Sequence, residues 1–273
     1  MQLPMTYKKE FAAFDLELRN KSDEALPTLQ DFQREWLMRK FMNESARDLE
    51  QTNLLSQRFV RGTKRPPLPE NWDKQDVEYD DKQLLLQGHQ VMQAWEHRIM
   101  EAMAANITET HGDVLEIGFG MGISATYILE NGVRSYTVVE PNHAVVKAFE
   151  KWRESYPATP VRLLHGTWQQ LSGQFEQYDG VLFDPYFVSE PDSVEVESTT
   201  GVGSFLPLVI PHLREGGAMT YFTREIDSLS RPHQRMLFKY FRSVEMKKIS
   251  DLVPPDDCNY WWADSMMVVR AIK

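Results

Sequence analysis

The sequence predicts an α/β fold built on a mostly parallel sheet of about seven strands, with an antiparallel edge and a helical extension at the N-terminus. Three observations carry this expectation. Between residues 113 and 223 short apolar runs alternate with helical patterns, the signature of parallel strands covered on both faces. The last two β-rich runs, VEMKKISDLV and SMMVVRAI, have no helix between them and so form an antiparallel pair at one edge. Before residue 70 the spacing is helical instead.

From Leu29 to Val60 apolar residues recur three and four apart, and Phe32, Trp36, Leu37 and Phe41 form the stripe of an amphipathic helix broken near Asn43. Such a stripe covers the main domain or pairs with a second copy, so a homodimer through these helices is one expectation. RGTKRPPLPEN, Arg61 to Asn71, has three prolines in four residues and reads as an extended linker. The extension and linker thus occupy residues 1–70 and the main domain residues 71–273. In that domain helical spacing runs from Leu84 to Ala105, and DVLEIG at 113–118 is a strand. A helix at 123–131, a strand at 135–140, a helix at 142–156 and strands at 161–165 and 179–184 follow. A helix around 205–213 leads into a strand at 218–223.

With 273 residues, 42% hydrophobic and 26% charged, the chain can bury one substantial core beside an appendage. No secretory signal and no run near the roughly 18 apolar residues of a membrane span is visible, so a cytoplasmic protein with no membrane partner is expected. The surplus acid behind the net charge of −10 sits wholly beyond residue 70, which argues against nucleic acid as a partner and for a cationic substrate. The single cysteine, Cys258, has no Cys or His set nearby; neither an internal disulfide nor a metal is expected.

The stretch VLEIGFGMGIS places Gly118, Gly120 and Gly122 at the carboxyl end of the first strand of this region, where ligands of parallel sheets bind. No Lys follows, which excludes a P-loop, and Ile123 stands where a dinucleotide fingerprint needs its third glycine. Glu140, about 20 residues on at the end of the next strand, suits the two hydroxyls of a ribose. Glu116 before the loop is a poor neighbour for a pyrophosphate and a good one for a sulfonium. Together with the antiparallel edge, these features point to S-adenosylmethionine, leaving as S-adenosylhomocysteine.

Asp184 ends the fourth strand in FDPYF, and Pro185 and Tyr186 are similar to a motif that grips a planar nitrogen between an acceptor and an aromatic wall. Upstream, Met92, Glu96 and Met100 lie four apart, so a helix would carry them on one face. An acid between two apolar positions wants a cationic partner. Glu96 and Asp184 facing one pocket suit a guanidinium, whose N–H donors form a fixed fork.

GHQVMQAWEHRIM, VLEIGFGMGIS, GTWQQL, YDGVLFDPYFVSE and DLVPPDDCNYWW resemble, in order and spacing, the motifs of the guanidinoacetate N-methyltransferases, over about residues 72–273. The resemblance implies a Rossmann-like class I methyltransferase domain, acting on a small guanidino substrate, guanidinoacetate or free L-arginine. It implies S-adenosylmethionine contacts at Trp72, Met92, Met100, Gly118, Phe119, Gly120, Met121, Gly122, Ile123, Glu140, Pro141, Asn142, Thr167 and Trp168. Its catalytic, guanidino-binding acids fall on Glu96 and Asp184, with Tyr186 beside them. Where the family holds the substrate carboxylate through a longer segment, this chain has Thr223 and Arg224. Three other readings stand beside this one: a protein arginine methyltransferase, a nucleic-acid amino-methyltransferase, and a non-catalytic partner that uses the fold for assembly.

Overall fold

The computed structural model describes residues 68–186, 201–258, 260, 261 and 263–273, with the side chains of 231 and 232 excepted. They belong to one compact unit, Pro66–Lys273. The aromatic stripe of Phe32, Trp36, Leu37 and Phe41 and most of the proline-rich linker lie outside the described residues.

The main sheet has seven strands: β4 (Asp113–Ile117), β5 (Ser135–Glu140), β6 (Val161–His165), β7 (Tyr178–Phe183), β8 (Leu213–Tyr221), β9 (Ser243–Ile249) and β10 (Met266–Ile272). Their order is β6-β5-β4-β7-β8-β10-β9. β4 pairs in parallel with β5 on one side and β7 on the other, so strand order reverses at β4. β10 runs antiparallel to both β8 and β9, which is the antiparallel edge expected from the sequence.

Five helices of the described residues flank these strands in the chain order expected of an α/β protein: α1 (His97–Thr108), α2 (Ile123–Glu130), α3 (His143–Arg153), α4 (Trp168–Leu171) and α5 (Val202–Val209). A sixth, α6 (Arg231–Tyr240), was not expected from the sequence. Pro232 sits in its first turn, where a missing N–H costs no hydrogen bond. The core gathers Leu115, Ile117, Val181 and Phe183 from the central strands against Phe205 and Val209 of α5, with the Phe183 and Phe205 rings stacked 4.4 Å apart.

A second, three-stranded antiparallel sheet of β1 (Val77–Tyr79), β2 (Gln83–Leu86) and β3 (His89–Gln93) precedes α1. This corrects the helical reading of residues 84–93. Gln87 and Gly88 both take left-handed backbone angles, φ 51° and 77°, and so form the two-residue turn that matches strand twist in a hairpin. Leu84 and Leu86 are buried by strand alternation, a pattern that three consecutive leucines concealed. Met92 is therefore on a strand, and Met92, Glu96 and Met100 do not share a helix face.

At the end of the sheet away from the carboxyl termini of β4 and β5, Asp179 accepts from the Asp113 N–H at 2.8 Å and from Arg214 at 2.6 Å. The hydrogen bond from Arg134 is the main reason that Asp113 is held well below the usual carboxylate range. Gly180 lets β7 approach α1: a Cβ there would stand 2.2 Å from the Ile107 carbonyl oxygen. Gly180→Ala should accordingly destabilise the fold by ~3 kcal/mol, the upper part of the range for overpacking. Urea unfolding measures this, and a variant as stable as the parent would contradict the packing described.

Candidate active site

In open α/β sheets ligands bind at the carboxyl ends of the strands, beside the point where strand order reverses. Glu140 ends β5, Asp184 directly follows β7 and Glu116 lies in β4 one residue from its end, so three acids collect at that place. The loop after β4 turns through left-handed angles at Gly118 (φ 90°) and Gly122 (φ 71°). A Cβ on Gly118 would stand 2.6 Å from the Asp184 carbonyl oxygen, and one on Gly122 2.7 Å from the Phe119 ring. Backbone angle and packing account for both glycines, so the glycines alone do not identify a ligand.

The donors around the loop say more. Phe119 donates its N–H to Glu140 Oε2 at 3.0 Å, and the Asn142 N–H donates to Oε1 at 2.8 Å. The Phe119 ring packs edge-on against Phe149 and Trp152 and belongs to the core. Met121 donates its N–H to Met92 Sδ at 3.4 Å, and a Cβ on Gly120 would stand 3.0 Å from the same sulfur, so β3 lies against the loop. Tyr79 of β1 donates its hydroxyl to the Met121 carbonyl at 3.0 Å. Ile123 opens α2 and is buried.

Asn142 caps α3 through the N–H groups of Ala144 and Val145, and its amide donates to the carbonyls of Trp72 and Gln75, each at 3.0 Å. That ties the half-buried Trp72 to the end of β5. The Pro141 carbonyl faces the His165 ring at 3.2 Å. Thr167 begins α4 through a capping box with Gln170, and the Trp168 ring packs edge-on against Phe183 and Phe205. Met100 on α1 is wholly buried.

Burial pushes Glu140 up to about 7, opposed by the N–H groups of Asn142, Phe119 and Gly120. Glu116, fully buried, is pushed up to about 8 by burial, and the hydroxyls of Ser124 and Tyr136 both donate to its carboxylate. Those hydroxyls enclose Glu116, which is not how an acid placed beside a sulfonium was expected to stand. The donor set still fits S-adenosylmethionine. Glu140 stands at a strand end beside the loop N–H groups, where a ribose would meet it, and the surrounding acids suit a sulfonium and an ammonium.

Glu96 closes a 3-10 turn, Ala94–Glu96, that runs into α1. It forms a capping box with Gln93, whose N–H donates to Glu96 Oε1 at 2.9 Å, and Tyr260 donates its hydroxyl to the same oxygen at 2.6 Å. The acid thus has protein donors, which the sequence reading did not expect. Burial, then the charge of Asp184, pushes Glu96 up to about 8, while Tyr260, Gln93 and Arg224 pull it down. Asp184 is pushed up to about 7 by burial and pulled down by Arg224. Glu96, Asp184 and Arg224 therefore act on one another, although the chain separates them widely.

Tyr186 stands 3.1 Å from Nδ1 of His89, a buried histidine of β3. Thr223 donates its hydroxyl to the Met267 carbonyl at 2.6 Å and accepts from the Glu225 N–H at 3.1 Å. That hydroxyl is used by the backbone. Arg224 next to it has φ 55°, uncommon for a residue with a side chain and frequent at functional sites. Sequence reasoning missed Tyr79, His89, Gln93 and Tyr260, for which only the turn chemistry around Gly88 offered a signal.

Glu96, Glu140 and Asp184 bind protons more tightly folded than unfolded, so their neutral forms favour the fold. The stability they contribute is present in acid and is lost as pH rises from the ordinary carboxylate range through about 7 to 8. Glu96→Gln removes one such titration, so its stability relative to the parent should improve between about pH 5 and 8. Urea midpoints across that range measure the difference, and a difference independent of pH would contradict the shift. Asp113, shifted the opposite way, acts at lower pH and is common to both proteins.

The family model of guanidinoacetate N-methyltransferase matches residues 63–229. Among curated proteins, a protein arginine N-methyltransferase 2 of Aspergillus fumigatus is 34% identical over 119 residues, covering 41% of this chain and 28% of that protein. Its counterpart in Emericella nidulans is 30% identical over 154 residues, covering 54% of this chain and 34% of that protein. The match thus spans about a third of the length of these relatives. Among solved structures, spermidine synthase from Thermotoga maritima has a TM-score of 0.51 at 15% identity, covering 72% of this chain and 71% of that one. A spermidine synthase in complex with the transition state analogue AdoDATO has a TM-score of 0.52, also at 15% identity, covering 72% of both chains. These structures share the Rossmann-like fold. The chain belongs to the guanidinoacetate N-methyltransferase family, a class of S-adenosylmethionine-dependent guanidino methyltransferases.

Proposed function

We propose that this protein transfers a methyl group from S-adenosylmethionine to a guanidino nitrogen of a small guanidino acid, guanidinoacetate or free L-arginine. The observation that carries the reading is the mutual influence of buried Glu96 and half-buried Asp184 and Arg224 in one site. Two carboxylates with raised proton affinity are relieved by a cation, and a guanidinium offers paired N–H donors to both. Arg224 acts on both acids, so it stands near enough to meet the carboxylate of a substrate whose guanidinium they hold.

When bound, S-adenosylmethionine supplies an electrophilic methyl group, and the electrons of the broken C–S bond stay on sulfur. The protein has to present a nitrogen with an available lone pair. A guanidinium, with a pKa above about 12, has none to spare while its charge is delocalised. Glu96 and Asp184 hold the fork, orient one nitrogen and localise charge away from it. The proton shed by that nitrogen passes to an Oδ of Asp184, which keeps partial contact with solvent. Orientation of this kind lowers the barrier by about 7 to 11 kcal/mol in the best cases.

A second reading, methylation of arginine in a protein, is favoured by the names of the relatives. Mass spectrometry of a panel containing guanidinoacetate, arginine, agmatine and an arginine peptide separates the two. The expected result is a gain of about 14 Da, one CH2, on a guanidino acid and none on agmatine, which has no carboxylate for Arg224. A gain confined to the peptide would select the second reading. Asp184→Asn should lower kcat by about 10²- to 10⁴-fold, the usual worth of a proton acceptor, while calorimetry shows S-adenosylmethionine still bound. Full turnover by that variant would remove Asp184 from the proton's path.

A further inference from the structure

Both protein donors to Glu96 meet the same oxygen. The Gln93 N–H and the Tyr260 hydroxyl converge on Oε1, at 2.9 and 2.6 Å, and among the described residues no side-chain or backbone donor is recorded on Oε2. Tyr260 comes from the segment between β9 and β10, far along the chain from Glu96, and is half-buried. Its ring stacks on Trp95, the neighbour of Glu96, with centroids 6.1 Å apart. The carboxylate is thus gripped from two directions, through its own turn and across the fold.

We infer that Tyr260 is a positioning residue for the guanidino site: its hydroxyl pins Glu96 in one orientation and holds it as an acceptor, so that Oε2 is presented to the guanidinium. This rests on the substrate reading above and deepens it. Burial and the charge of Glu96 push the Tyr260 phenol far above its ordinary value, so the hydroxyl keeps its proton and donates it to Glu96. A donor that cannot ionise favours the charged carboxylate at every working pH. The other groups acting on Glu96 are Asp184 after β7, Arg224 after β8 and Cys258 in the same segment as Tyr260. Burial pushes the Cys258 thiol up and keeps it neutral. Asp184 opposes ionisation of Glu96 while Arg224 and Tyr260 support it. Tyr260 is the member of this set that touches the carboxylate while carrying no charge.

Tyr260→Phe in the full chain removes the hydroxyl and keeps the ring on Trp95. We expect KM for the guanidino substrate to rise about tenfold with S-adenosylmethionine affinity unchanged, the loss of one charge-assisted hydrogen bond. The acidic limb of kcat/KM should move up by about one pH unit, because Glu96 then holds its proton more tightly. An unchanged limb, or a uniform fall in activity that follows a lower melting temperature, would overturn the inference and leave Tyr260 a structural residue. Difference infrared titration of the Glu96 carboxyl, identified by its loss in Glu96→Gln, reads the same effect without turnover. If no guanidino compound is methylated, a titration displaced upward in Tyr260→Phe still supports the role of Tyr260 and places the failure in the substrate reading. An undisplaced titration overturns the inference itself.

Discussion

Buried negative charge at the carboxyl ends of β4, β5 and β7 is the constraint to which the rest of the site answers. Glu96, Glu116, Glu140 and Asp184 are all pushed up by burial, and an isolated carboxylate in such surroundings would be very costly. Each is relieved differently. Glu116 has two hydroxyls, Glu140 has backbone N–H groups, Glu96 has one N–H and one hydroxyl, and Asp184 has the field of Arg224. Glu140, through the N–H groups of Phe119 and Asn142, holds the loop to its strand. Glu96 and Asp184 are the two of these acids on which Arg224 acts.

The other end of the sheet treats acids in the opposite way. Asp113 and Asp179 pair with Arg134 and Arg214, and the result is a carboxylate held low rather than pushed up. Partly exposed pairs of this kind contribute little stability each, but they leave no charge unmet. One sheet thus has an end closed by arginines and an end left acidic, and the acidic end is where strand order reverses. Helix geometry reinforces this, since Glu96 stands at the N-terminus of α1, where the peptide dipoles favour an anion.

The strands β5 and β6 were legible residue for residue, because SYTVVE and VRLLH are short runs too brief for a helical period, each set between helical or turn segments. The antiparallel edge was legible from the missing helix between two β-rich runs. Residues 84–93 were misread because LLLQGHQVM satisfies a helical period as well as a strand period, and only the left-handed turn at Gln87 and Gly88 decides between them. Glu96 and Asp184 were visible as acids in apolar settings. Their supports were not, since Tyr260 and Gln93 reach Glu96 by a contact across 164 residues and by a local capping box. Neither leaves a periodic trace. The hydroxyl of Thr223 shows the converse: a residue at a plausible position whose polar atom is spent on the backbone of β10.

Charge balance connects the proposed chemistry to the choice of substrate. With Glu96 and Asp184 ionised and Arg224 protonated, the site carries one net negative charge. Guanidinoacetate adds a cation and an anion, and a sulfonium adds one more cation, so the filled site is neutral; the α-ammonium of free L-arginine would add a further positive charge. Methyl transfer removes the sulfonium charge and leaves an equal charge as the proton on Asp184, so neutrality holds through the step. An arginine within a peptide brings the guanidinium without the carboxylate, and the same site would then hold one uncompensated positive charge. In a partly buried site that difference carries a cost, because charge there is screened less than in water. Arg224 therefore acts as a discriminator only if it meets a carboxylate, which a free guanidino acid would supply and an arginine within a peptide would not.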